Sequence, residues 1–342
     1  MSSGIGNTDQ QFSLREVPWH KTATILDNPP TSAEAILAAG LDWPVMLKKA
    51  FFFGEEVLGD GQTKIEVPDA FVTVRLDKKH GEIPLGVVGN RYSPLQNTEA
   101  FDFFDKIVSD GLAEYETAGS LFDGKKVWVL ARMKGEVLVG DNDPVKKYVL
   151  LSNSHDGTSA VVGKITSTRV VCNNTLSAAL SGVKDVKNSF SYRHTSSIKE
   201  KMKQAEMTLE VVNKAYDKLS KVWMKMAEIT MPGTQKIEFV RRVFESKEGA
   251  KNETRLNGLR AEVLQLAEKS PGSDLLTAKD TLWGLLNGVT NYATFAVSER
   301  KGSTADTHMD NLWFGRLAGM NDKAFQVALD VMQSKGIDVA TL

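Results

Sequence analysis

The sequence predicts an α+β protein, an N-terminal antiparallel sheet packed with helices followed by an all-helical part with one long helix. Three observations carry that class. Residues 43–171 break into short runs of strand composition separated by turns rich in Gly, Asn and Asp. Ile198, Met202, Ala205, Leu209, Val212, Tyr216, Leu219, Trp223 and Met226 recur at spacings of four and three, the seam of one long helix. Beyond Pro232-Gly233 only helical periodicity is found. These shifts divide the chain into a mobile tail at 1–16, an α+β sheet domain at 17–195 and a helical domain at 196–342.

In chain order, Thr31 or Ser32 caps a helix over Ala33 to Ala39 that Gly40 stops. Val45 to Phe53 reads as a strand ending in turns at Gly54, Gly59 and Gly61. Phe71-Val72-Thr73-Val74-Arg75 alternates, and Lys79-His80-Gly81 turns the chain into Leu85 to Val88. Asn97 or Thr98 starts a helix with Phe101, Phe104, Ile107 and Val108 on one side, and Glu99 and Asp102 suit its positive N-terminal end. Tyr115–Leu121 and Lys126–Arg132 form a hairpin, because Asp123-Gly124 supplies the positive φ angles of a tight turn. Tyr148–Leu151 and Ser159–Val171 are strands flanking the polar turn Ser152–Thr158. A short helix capped by Asn173 or Asn174 and stopped by Gly182 is expected next. The capping box Ser197-Ile198-Lys199-Glu200 opens the long helix. Later helices are expected over Ile237–Glu245, around Leu256–Leu266, over Ala278–Ala296 and over Lys323–Gln333.

Composition narrows the function. With 42% hydrophobic residues in 342, the chain can bury a sizeable core, and its net charge of −1 leaves no global field for nucleic acid or membrane. Such affinity has to be local. Cys172 is the single cysteine, so no intrachain disulfide forms and a cytoplasmic setting is expected. No apolar window is long enough to cross a membrane. No phosphate-loop, GxSxG, HExxH or paired CxxC pattern occurs, and no cofactor or metal is expected.

Two stretches gather chemistry. In the turn, His155 and Asp156 set an imidazole beside a carboxylate, the residue types of acid–base work. The ordinary reading is a turn built by Asp156-Gly157 with a hydrogen-bonding histidine. Between 164 and 203 stand Lys164, Arg169, Lys184, Lys187, Arg193, Lys199, Lys201 and Lys203 against Asp185 and Glu200, with Phe190, Tyr192 and His194 among them. Cations that follow a phosphate backbone, with aromatics on which bases stack, are what single-stranded nucleic acid requires. The alternative is a solvated helix start with a loop packed by its aromatics. Alternation places Arg169 on the strand face of Ile165 and Val171, and Lys164 with Thr166 and Thr168 on the other.

Several motifs occur together and in order: Trp19-His20, Arg91-Tyr92-Ser93-Pro94-Leu95-Gln96-Asn97, Tyr115 to Ser120, Leu151 to Gly157, Arg169 to Leu176, Arg193-His194-Thr195, Thr281 to Asn287 and Asn291-Tyr292. On them the chain resembles the phage/plasmid-like protein family built on domain of unknown function 932. It departs at the opening, where the family's Trp-His-Gly-Leu-Gly stands as Trp19-His20-Lys21-Thr22-Ala23. The resemblance implies cargo of bacteriophages and plasmids, a bacterial host cytoplasm and a part in mobile-element DNA metabolism. It brings no catalytic residues. Together these readings favour a single-stranded DNA binding or annealing protein of recombination or replication, homo-oligomeric through its helical part. The contact residues are Lys164, Arg169, Asn173, Asn174, Lys184, Lys187, Tyr192, Arg193 and His194. The alternatives are a hydrolase or nuclease using His155 and Asp156 with Asn153 or Asn173, and a scaffold binding a partner helix along the Ile198–Met226 seam.

Overall fold

The computed structural model describes residues 10–15, 23–54, 63–171, 174–177, 189–204, 209–245, 253–296 and 304–342, and it is α+β. Its elements are β1 (Gln11–Leu14), β2 (Thr24–Leu26), α1 (Ser32–Ala38), β3 (Val45–Phe53), β4 (Lys64–Asp77), β5 (Gly81–Gly89), α2 (Asn97–Ser109), β6 (Ala113–Leu121), β7 (Lys126–Val139), β8 (Asp143–Ser154), β9 (Val161–Arg169), β10 (Asn174–Ser177) and β11 (Ser189–Tyr192). Helices follow: α3 (Ile198–Gln204), α4 (Leu209–Glu228), α5 (Gly233–Val243), α6 (Glu253–Lys269), α7 (Leu282–Asn291), α8 (Ala305–Trp313) and α9 (Arg316–Ser334). Among the described residues the larger sheet has the order β10-β9-β8-β7-β6-β1-β2 with β11 also on β9, and β3-β4-β5 is a separate meander. Contacts cluster into two compact units, neither continuous in sequence. The first holds Met1–Ala131, Leu150–Lys164 and Ser189–Glu206; the second holds Arg132–Val149, Ile165–Asn188 and Met207–Leu342.

In the first unit, α1 begins where expected: Thr31 accepts from the Glu34 amide while Glu34 reaches back to the Thr31 amide. Helix α2 buries Phe101 and Phe104, and the Tyr115 hydroxyl of β6 donates to Asp105 at 2.7 Å. The β6–β7 turn places Phe122, Asp123 and Gly124 all at positive φ, so the left-handed stretch begins one residue before the Asp-Gly pair.

In the second unit, Val212, Tyr216, Leu219, Trp223 and Met226 of α4 are all buried. The Val212–Met226 part of the expected seam is therefore packed into the protein's own core. Trp223 packs on Trp283 of α7 with ring centroids 5.7 Å apart. The buried Tyr216 hydroxyl accepts from the Tyr148 amide at 2.8 Å and is bonded to the carbonyls of Tyr148 and Thr166. Tyr216→Phe removes one hydrogen-bonding partner from these β8 and β9 groups and is expected to cost about 1 kcal/mol in urea denaturation. A near-neutral result would mean that the strands find other partners.

Two local expectations are corrected. Residues 174–177 form strand β10, not a helix start: Asn174 pairs with Arg169 and Ser177 with Thr166. The β9 edge supplies the ladder that draws these residues into a strand, a partner that local sequence does not reveal. Helix α8 was not anticipated, because Asp306 and His308 are polar yet buried and break the apolar pattern.

Candidate functional site

In the first unit three motif segments converge: the loop 91–97, the turn 152–158 and the residues that join β11 to α3. The turn is built by Asp156. Its carboxylate accepts from Ser154 Oγ (2.5 Å), the Thr158 amide (3.0 Å) and Thr158 Oγ1 (2.6 Å), and Gly157 follows at φ +78°. Strand β5 lies close against this turn, because a Cβ at Gly86 would fall 2.5 Å from the Asp156 carbonyl oxygen. Only glycine permits that approach.

His155 points inward and is fully buried. Its amide donates to the Lys125 carbonyl at 2.7 Å, and its ring meets Trp43 edge-on at 5.5 Å. Asn97 fixes its tautomer. The Asn97 side-chain amide donates to the Leu41 carbonyl, so Oδ1 accepts, 2.9 Å from His155 Nε2, which must carry the proton. His155 Nδ1 is then a buried acceptor with no hydrogen-bond partner among the described residues, as is Asn153 Oδ1. Asn153 itself donates to the Leu95 carbonyl at 2.9 Å.

The second histidine, His194, stacks on Tyr92 with centroids 4.7 Å apart and 20° between planes. Its Nδ1 lies 3.3 Å from the Ser93 carbonyl oxygen, and the Ser93 amide donates to the His194 carbonyl. The Tyr92 hydroxyl donates to the Ser154 carbonyl at 2.9 Å, which ties loop, turn and β11 connection into one cluster.

Burial sets the protonation of the cluster. Burial, with the nearby His194, pushes His155 down to about 3 against the pull of Asp156. Burial lowers His194 too, opposed by the Ser93 carbonyl and Asp156. Burial and the Asp156 charge raise the Tyr92 phenol. Burial opposes ionisation of Asp156, but the Ser154 and Thr158 hydrogen bonds and the charge of Lys126 outweigh it and hold the carboxyl below its ordinary range. Both imidazoles are thus neutral, and one carboxylate oxygen of Asp156, Oδ1, takes all three hydrogen bonds of its own turn. His155, fully buried, lacks the exposure that acid–base work on a substrate requires. Among the described residues, no three His, Cys, Asp or Glu side chains gather to hold a metal ion.

What the cluster presents outward is positive charge. Arg91 precedes Tyr92, Arg193 precedes His194, and Lys125 carries the carbonyl that receives the His155 amide; all three are exposed. None of the three is engaged by a carboxylate among the described residues. Arg193 was read from the sequence. Arg91 and Lys125 were not, since each is an isolated cation that only the fold brings to the cluster.

The remaining expected contact residues scatter. Lys164 is half-buried at the β9 position paired with Ser189. Tyr192 is half-buried and stacks on Phe190 at 5.0 Å, and Phe190 covers Gly163. His194 is buried, so it supports the surface without forming it. Arg169 is the clearest correction. It is 2% exposed in the second unit, with Nε and Nη2 each 2.6 Å from Asp143 and Nη2 bonded to the Gly272 carbonyl. Asp143, itself fully buried, also accepts from Thr277 and from Trp283 Nε1. The strand face that Arg169 shares with Ile165 therefore turns inward here and holds it in an internal ion pair. Asn174 lies on β10, and its side chain is outside the described residues, as are Asn173, Lys184, Lys187, Cys172, Trp19 and His20.

No helix among the described residues is long and apolar enough to cross a membrane. A family model described as a domain of unknown function, DUF932, matches residues 84–313, about two thirds of the chain. The match begins in β5 and includes every motif from Arg91 to Tyr292. No curated protein and no solved structure matches.

Proposed function

This chain belongs to the family built on domain of unknown function 932, and for it we propose binding of single-stranded nucleic acid by the first unit. One observation carries the reading. Three exposed cations from three separate segments, Arg91, Lys125 and Arg193, are held by a rigid buried cluster and engaged by no carboxylate among the described residues. Cations fixed on ordered backbone follow a phosphate chain at little entropic cost. Tyr192, next to Arg193 and half-exposed, adds an aromatic to the edge strand β11. The ordered motifs that resemble phage and plasmid proteins support placing this binding in mobile-element DNA, in recombination or replication within a bacterial host.

The test is fluorescence anisotropy of a labelled single-stranded oligonucleotide across a salt series. Affinity is expected to fall as salt rises, and the slope of log affinity against log salt is expected to drop by about 0.7 for each of Arg91→Ala and Arg193→Ala. Both side chains are exposed, so the fold is expected to persist. Salt-independent binding, or slopes unmoved in the double variant, would remove this surface as the polyanion site.

A further inference from the structure

We propose that the outer half of the β3–β4 hairpin is a base-stacking wedge for the same single strand, an inference that rests on the nucleic-acid reading above. Beyond the register shift between Lys49 and Phe51, β3 pairs with Lys64–Glu66 of β4 alone. There the chain places three consecutive phenylalanines, Phe51, Phe52 and Phe53, which are 45%, 52% and 57% exposed, and Ile65, which is 41% exposed.

Side chains alternate faces along a strand. Phe51 and Phe53 therefore share one face, where their rings meet edge-on at 5.6 Å. Phe52 and its cross-strand partner Ile65 share the other. A sheet that packs against a core needs one apolar face, and this ribbon has two, both exposed. Covering both with a flat protein partner requires that partner to wrap the ribbon. A flexible single strand instead lays one base on each available ring, since every base offers an apolar π face.

Charge favours the same occupant. Lys64 Nζ sits 3.8 Å from the Phe51 ring centroid, which sets an ammonium beside an aromatic surface. Lys48 and Lys49 precede the phenylalanines on β3, paired with Glu82 and Glu66 at 2.5 and 2.6 Å. These pairs are exposed and so weakly held that phosphate can displace the carboxylates. Rings flanked by three lysines match bases flanked by phosphates.

The probes are labelled oligothymidylate and an abasic strand of the same length, which keeps the phosphates and lacks the bases. Wild type is expected to bind the thymidylate about tenfold or more tightly than the abasic strand. Phe51→Ala/Phe53→Ala is expected to erase that preference while leaving the salt slope unchanged, and Phe52→Ala to erode it from the other face. Circular dichroism establishes that the variants fold. A double variant that keeps the full base preference overturns the wedge and leaves the Arg91–Arg193 reading intact. So does a double variant that binds normally but sediments at lower mass than wild type, since the ribbon then joins copies of the chain. Absence of salt-dependent binding of either strand by wild type overturns both readings.

Discussion

Arg169→Ala is expected to destabilise the protein by about 3–5 kcal/mol, read as a lowered urea midpoint, without altering the salt slope of nucleic-acid binding by the folded protein. The cost comes from what stays behind. Asp143 is fully buried and loses both guanidinium bonds, each 2.6 Å long, keeping the Thr277 hydroxyl and the Trp283 indole N–H as donors. A buried carboxylate left without its counter-charge is far costlier than a surface cation removed. Converting both partners to apolar residues, Arg169→Met with Asp143→Leu, is expected to recover much of the loss, because neither charge then has to be desolvated. The converse outcome, near-normal stability with a reduced salt slope, would make Arg169 a phosphate contact after all.

Acid is expected to weaken the fold through its histidines before its carboxylates respond. His155 has a folded value near 3 against about 6.5 in the unfolded chain. Between these values the unfolded state binds a proton that the folded state refuses, so stability rises with pH and is lost on acidification. From roughly pH 6.5 downward His155 contributes a loss of about 1.4 kcal/mol per unit, which levels off near its folded value. His194 is lowered in the same direction and adds to the upper part of this range. The stabilisation that Asp156 gains from its turn is lost only further down, below about pH 4, since its carboxyl is held beneath its ordinary value. Urea midpoints at pH 7.5, 6, 5 and 4 therefore report mainly the buried imidazoles. His155→Gln keeps an N–H donor for Asn97 and removes the titration, so its curve should be flatter. Superimposable curves for wild type and variant would show that His155 already accepts a proton in the folded state.

The same residues show how far the sequence could be read. The α1 capping box, the apolar face of α2 and the hairpin around Asp123-Gly124 were legible because each depends on residues within a few positions of one another. The Asp156-Gly157 turn was legible for the same reason. Strand β10 was not, since its ladder is made with β9, a partner that local sequence does not reveal. Helix α8 was hidden by buried polar residues that periodicity assigns to solvent.

The candidate site divides along the same line. Sequence by itself determined the α+β class, the order of the motifs, the shared strand face of Ile165 and Arg169, and the presence of Arg193 and Tyr192 beside one another. Only the tertiary structure decided that His155 is sealed against Asn97, 58 residues away, and that Arg169 meets Asp143, 26 residues away. It also brought Arg91 and Lys125 to the cluster that carries Arg193. Propensity and periodicity are set by neighbours along the chain, whereas the partner of a side chain is set by which distant segment packs against it. In a buried site that partner, more than residue type, decides whether a histidine is a base or a brace and whether an arginine is a contact or a core.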